Sequence, residues 1–131
     1  MKFEWEDYLK LAHQLFDEHD IYLEESSYRT SISRAYYSVF NMAKNHLMNL
    51  GTELSNSGYI HKQIPLIFKD LSEKEDDTSK KKKLIRISNE LSILRSTRNN
   101  ADYDNEIIKL NNVAKAALIR ADKLKETIHS I

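Results

Sequence analysis

The sequence predicts an all-α fold: an up-and-down bundle of four long helices plus a short helical insertion, in a single domain over residues 1–131. Two observations predict it. Gly occurs twice and Pro once, far below ordinary usage, so the residues that punctuate helices are nearly missing. Apolar side chains recur instead at steps of three and four along most of the chain, the period of one helix face. A domain of 131 residues removes roughly 68% of its unfolded surface from water, enough for one core without staples.

The first helix is expected over about residues 3–19, where Trp5, Tyr8, Leu9, Ala12, Leu15 and Phe16 form one stripe. The second, about 24–49, carries Tyr28, Ile32, Ala35, Tyr36, Val39, Phe40, Ala43 and Leu47 on one face, and Gly51 supplies its stop. "GTELSNSGY" reads as a loop. "IHKQIPLIFKDL" reads as one or two helical turns around Pro65, and "SEKEDDTSKKKK" as a polar, mobile link. The fourth pattern runs from about Lys80 to Asn100, with Leu84, Ile87, Leu91 and Leu94 facing inward. The fifth is expected to start after Asp104, as N-cap, with Glu106 in its first turn. Ile107, Leu110, Ala114, Ala117, Ala121, Leu124 and Ile128 then repeat as a and d positions.

Composition excludes several functions. Without Cys there is no disulfide, thiolate metal site or Cys nucleophile. Histidines stand at 13, 19, 46, 61 and 129. None is paired at the four-residue spacing that puts two imidazoles on one metal, and the single Glu-x-x-His, Glu126 to His129, falls short of the two that a di-iron bundle needs. No Gly-rich phosphate loop or Gly-flanked Ser is present. Each lone His therefore reads as a surface or partly buried side chain, and no metal or cofactor is expected. No apolar run approaches ~18 residues, so no membrane span is expected. The acidic, amphipathic N-terminus is unlike a secretory signal, and the expected location is cytoplasmic.

The net charge is zero, yet the charge is unevenly placed. Residues 1–25 hold eight acids against Lys2 and Lys10, whereas residues 80–99 hold Lys80 to Lys83, Arg86, Arg95 and Arg98 against Glu90 alone. Either the two segments face each other or water, or the basic one meets an anion.

Two stretches can carry chemistry. In "SISRAYYSVFNMAK", Tyr36 joins the core stripe while Arg34, Tyr37, Asn41 and Lys44 line another face. That row is either a solvated face or a line of groups suited to phosphate and base contacts. In "LRSTRNNADYD", Arg95 and Arg98 share a face, and like charges so spaced cost about 0.2–0.5 kcal/mol. Asp102, four residues after Arg98, offers an intrahelical pair in the weaker orientation, worth about 0–1 kcal/mol if exposed. An anion bound by the planar guanidinium forks is the alternative.

Together, "SRAYYSVFNMAK" and "LRSTRNNADYD" resemble the HEPN superfamily, in particular its small single-domain prokaryotic branch, and the resemblance covers nearly the whole chain. It implies a four- or five-helix up-and-down bundle, often a homodimer. Many members are metal-independent endoribonucleases of toxin–antitoxin or phage-defence systems; others bind nucleotides or serve as partners without cleaving. By resemblance Arg98 is the motif arginine and Asn99 the polar residue after it. The active motif continues to a His, but here none follows Arg98 until His129. Asp102, Tyr103 and Asp104 stand in that region.

The resemblance thus leads to expected catalytic residues Arg98, Asp102 and Tyr103, with Arg34, Tyr37, Arg95 and Asn99 binding RNA or nucleotide phosphate. Asp102 would orient Arg98 or act as a base, and Tyr103 would stack or hydrogen-bond. The alternative is a non-catalytic regulatory module that uses a helical dimer interface with a cognate antitoxin or nucleotidyltransferase. A third reading is a plain bundle with an internal Arg98–Asp102 salt bridge.

Overall fold

A computed structural model describes residues 2–131. It contains α1 (Glu6–Asp17), α2 (Glu24–Asn49), α3 (Ile60–Lys74), α4 (Thr78–Tyr103) and α5 (Leu110–His129), with a 3-10 turn at Ile21–Leu23. The class is all-α, as the periodicity predicts.

Specific bonds give the helix directions. Ser31 Oγ donates to the Ala12 carbonyl and Ser38 Oγ to that of Trp5, each at 2.7 Å, so α1 and α2 run antiparallel. These serines are buried; their small side chains let α1 close on α2 while their hydroxyls stay paired. His13 meets Asp122 at 2.9 Å and His129 meets Glu6 at 2.8 Å, so α1 and α5 are antiparallel too. Arg120 grips Glu90 at 2.8 and 2.9 Å between α5 and α4. α2 sits centrally, against α1, α4 and α5. The core is formed by the predicted stripes, with Ile32, Tyr36, Leu47, Phe68, Ile87, Leu91, Leu94 and Leu124 almost fully enclosed.

Four boundaries differ from the sequence expectation. α1 begins at Glu6, not near residue 3. The preceding segment is held by edge-to-face packing among Phe3, Trp5 and Tyr8 at 4.9–5.3 Å. α3 is a 15-residue helix containing Pro65, not one or two turns. Proline cannot donate to the carbonyl four residues back; here its ring is buried and its own carbonyl accepts Ser88 Oγ at 2.8 Å, so packing on α4 overrides propensity. The supposed mobile link is mostly helix. Only residues 75–77 separate α3 from α4, and Asp77 caps α4 by accepting the Lys80 amide at 2.9 Å.

The last difference is at α5, which starts at Leu110 after Lys109, a residue in the left-handed region at φ 54°. Asp104 is instead the C-cap of α4. Arg29 from α2 secures that end: its Nη1 donates to the carbonyls of Ala101 at 2.8 Å and Asp104 at 2.6 Å, and its Nη2 to that of Asn105 at 3.4 Å. A guanidinium on terminal carbonyls answers both their missing donors and the negative end of the helix dipole.

The acidic and basic segments do not neutralise each other. α1 packs on α2 and α5 without touching α4. Among the described residues no helix is long and apolar enough to cross a membrane.

Candidate functional site

α2 and α4 bring together most of the residues that the two stretches single out. Arg98 is only 8% exposed. Its guanidinium carbon lies 5.4 Å from the centroid of the Tyr36 ring and 5.3 Å from that of Tyr37. Arg34 lies 5.5 Å from the Tyr37 centroid and 4.8 Å from that of Tyr8. Tyr37 thus stands between two cations, a stacking arrangement worth about 0.5–2 kcal/mol per contact. The expected row on α2 is only partly solvated, since Arg34, Tyr37, Asn41 and Lys44 are all half-buried. The Asn41 amide is spent on the Tyr37 carbonyl at 2.8 Å.

The Arg98–Asp102 pair is weak. Nη1 to Oδ2 is 3.4 Å, well beyond the roughly 2.7–2.9 Å of a charge-assisted bond. The Nε atoms of Arg34, Arg95 and Arg98 are buried without a hydrogen-bond acceptor among the described residues. Arg34 has a single bond, at 3.5 Å to Ser33 Oγ. A buried cation so poorly paired is costly unless something negative joins it.

Tyr103 does not join the cluster. It is 77% exposed, because five residues of helix turn its side chain about 140° from that of Arg98. Asp102, one residue earlier, keeps the shared face.

Arg95 and Asn99 open onto a groove of about 520 Å³ between α3 and α4, which Lys62 and Lys69 also line. Ser92, Ser96 and Asn89 add neutral polar groups, and among the described residues no carboxylate lines it. Such a groove concentrates positive potential, and its low-dielectric walls strengthen it.

The residue that sequence reasoning missed is His61. It lines the same groove, and its Nδ1 is 2.7 Å from the Tyr36 hydroxyl. Its ring stacks on Phe40 at 4.5 Å and packs against Tyr36 at 5.8 Å and Tyr37 at 5.9 Å. His61 and Arg98 therefore rest on the same two tyrosines. Burial lowers the His61 pKa from its usual value, and the cations of Arg98, Arg95 and Lys44 lower it further. Burial likewise raises the Tyr36 phenol, against the opposing pull of Arg98 and Arg95. A signal did exist: His61, Pro65, Phe68 and Ser72 fall on one helical stripe, and the last three are buried. A histidine on an inward stripe needs a partner.

Among the described residues no three His, Asp or Glu side chains group as a metal site would. No family model matches the sequence, and no solved structure matches it. It is similar to an uncharacterized protein of Methanocaldococcus jannaschii, 33% identical over 115 residues, covering 82% of this chain and 64% of that protein. The chain thus spans a little under two thirds of this relative's length.

Proposed function

We propose that the protein is a HEPN-like bundle that binds RNA or nucleotide phosphate, with Arg95 and Arg98 as the phosphate ligands and the α3–α4 groove as the track for the strand. One observation supports this above the others: a nearly enclosed arginine without an adequate counter-charge, Arg98, lies one helical turn from Arg95, which lines a basic groove with no carboxylate among the described residues. Arg95 would engage the anion from the groove and Arg98 from behind it, while Lys62 and Lys69 follow the backbone. Arg34 and Tyr37 would hold Arg98 in place, and Asn99 would supply an amide at the rim. The setting implied by the family resemblance is a toxin–antitoxin or phage-defence system.

Fluorescence anisotropy with a labelled single-stranded RNA tests this. Wild type is expected to bind with an affinity that falls as salt rises, with a log–log slope of about −0.7 per phosphate neutralised. Arg95→Ala should weaken binding about 10- to 100-fold and flatten that slope by nearly one phosphate. Salt-insensitive binding, or an unchanged Arg95→Ala, contradicts the reading.

A second reading, a partner or dimer module, is favoured by one feature. Arg29 ties the start of α2 to the α4–α5 connection. The neighbouring segments expose Ile21, Tyr22, Leu23, Tyr103 and Ile108. Exposed apolar side chains gathered at one end suit a protein interface. If a homodimer forms there, Ile108→Lys should turn it into a monomer in light scattering while leaving the fold intact. A dimer that persists in this variant would rule that end out as the interface.

A further inference from the structure

We infer that His61 is the proton-transfer residue of the arginine site: supplied by α3, oriented by Tyr36 through Nδ1, it offers Nε2 to a ribose 2′-hydroxyl beside a phosphate held by Arg95 and Arg98. The inference rests on the phosphate-binding reading and adds a reaction to it. Three observations carry it. His61 lines the groove that Arg95 opens onto. Its Nδ1 is committed to the Tyr36 hydroxyl at 2.7 Å, while Nε2 has no partner among the described residues. Its ring is clamped by Phe40, Tyr36 and Tyr37, and the two tyrosines also carry Arg98.

A base oriented by a second group and facing an electrophile's cationic clamp is the arrangement that general-base chemistry needs. The charged groups around His61 are Lys44 on α2, Arg95 and Arg98 on α4, and its neighbour Lys62. No acid is among those that shift it, so the ring stays neutral and able to accept a proton near pH 7. Asp102 and Tyr103, the alternatives on α4, are less suited. Neither lines the groove, and Tyr103 faces solvent.

In the step, the 2′-hydroxyl proton passes to Nε2 and the 2′-oxygen forms a bond to phosphorus. The bond from phosphorus to the 5′-oxygen breaks with its electron pair, and that oxygen takes a proton from water. The products are a 2′,3′-cyclic phosphate and a 5′-hydroxyl; the hydroxide left in water is neutralised when His61 releases its proton. The charged ring donates Nδ1–H to the Tyr36 oxygen, so the same contact that orients the base supports its product. Arg95 and Arg98 meet the charge that builds on the phosphoryl oxygens.

The test measures binding and cleavage separately, with an RNA strand and its all-deoxy counterpart. Both strands should bind, and only RNA should be cut, leaving cyclic phosphate ends. His61→Gln should slow cutting about 10²- to 10⁴-fold while changing RNA binding by no more than about tenfold. In wild type, kcat/KM should rise with pH to a break below the ordinary histidine value of about 6.5 and then level. The break in kcat should lie higher, because bound phosphate offsets the cations. Tyr36→Phe should move these breaks, as expected of a positioning residue. Binding without cutting by wild type overturns the role of His61 and leaves phosphate binding standing. Absence of binding overturns both. Cutting that His61→Gln retains, or a wild-type profile without the acid-side break, also overturns it, and the latter needs no variant to fold.

Discussion

Arg98→Met is expected to cost the protein its RNA affinity, about 10- to 100-fold, while leaving it as stable as wild type or up to about 2 kcal/mol more stable. The reasoning turns on how little Arg98 receives in return for its burial. Its single hydrogen bond is 3.4 Å long, its Nε has no acceptor, and the residue is 8% exposed. Replacing a buried ionic group by an apolar one of similar length is often neutral or stabilising by about 1–4 kcal/mol. The two tyrosine stacks it loses return about 0.5–2 kcal/mol to the other side. Asp102 is not stranded, because its side chain is 30% exposed and keeps water. Thermal melting and RNA anisotropy on one preparation decide the matter. If Arg98–Asp102 were a structural salt bridge, the substitution would lower stability by about 3–5 kcal/mol instead. An affinity that fell only in step with lost folding would remove Arg98 from the phosphate site.

The sequence made the helical stripes legible because burial follows a 3.6-residue period wherever a helix packs on one side. Ile32, Ala35, Val39 and Leu47 on α2, and Leu84, Ile87, Leu91 and Leu94 on α4, are all enclosed as their spacing requires. Local rules failed where a distant group decides the outcome. Asp104 looks like an N-cap, but Arg29 takes its carbonyl from another helix and ends α4 there. Pro65 looks like a break, but a buried face and the hydroxyl of Ser88 keep α3 continuous.

The candidate site divides in the same way. Arg95, Arg98, Asn99 and Asp102 share one helix, and Arg34 and Tyr37 share another, so each set could be read from its own spacing. That both sets meet at Tyr37 depends on how α2 packs against α4. His61 lies 25 residues from Tyr36 in the chain, and only the tertiary fold makes them neighbours. A motif read along α4 finds no histidine after Arg98 before His129; α3 brings one to the groove from the other wall.

Phe68→Ala is expected to be the most damaging single truncation, at about 3–5 kcal/mol. For a chain of this size that corresponds to a fall of roughly 10–20 °C in melting temperature. Phe68 is fully enclosed, and its ring stacks against His46 of α2 at 6.3 Å. α3 rests chiefly on α4 and touches α2 sparingly, so Phe68 is a main tie between α3 and the centre of the bundle. Its loss leaves a cavity under the helix that packs chiefly on α4 alone. Backbone hydrogen exchange should therefore show α3 losing protection before α1, α2 or α5. Because α3 carries His61, Lys62 and Lys69, loosening it widens the groove and separates His61 from Tyr36. RNA affinity should then fall at temperatures where α1, α2 and α5 are still intact. If exchange instead accelerates evenly across the five helices, α3 is an inseparable part of the core. In that case the groove wall would have no independent mobility, and RNA binding would be lost only with the whole fold.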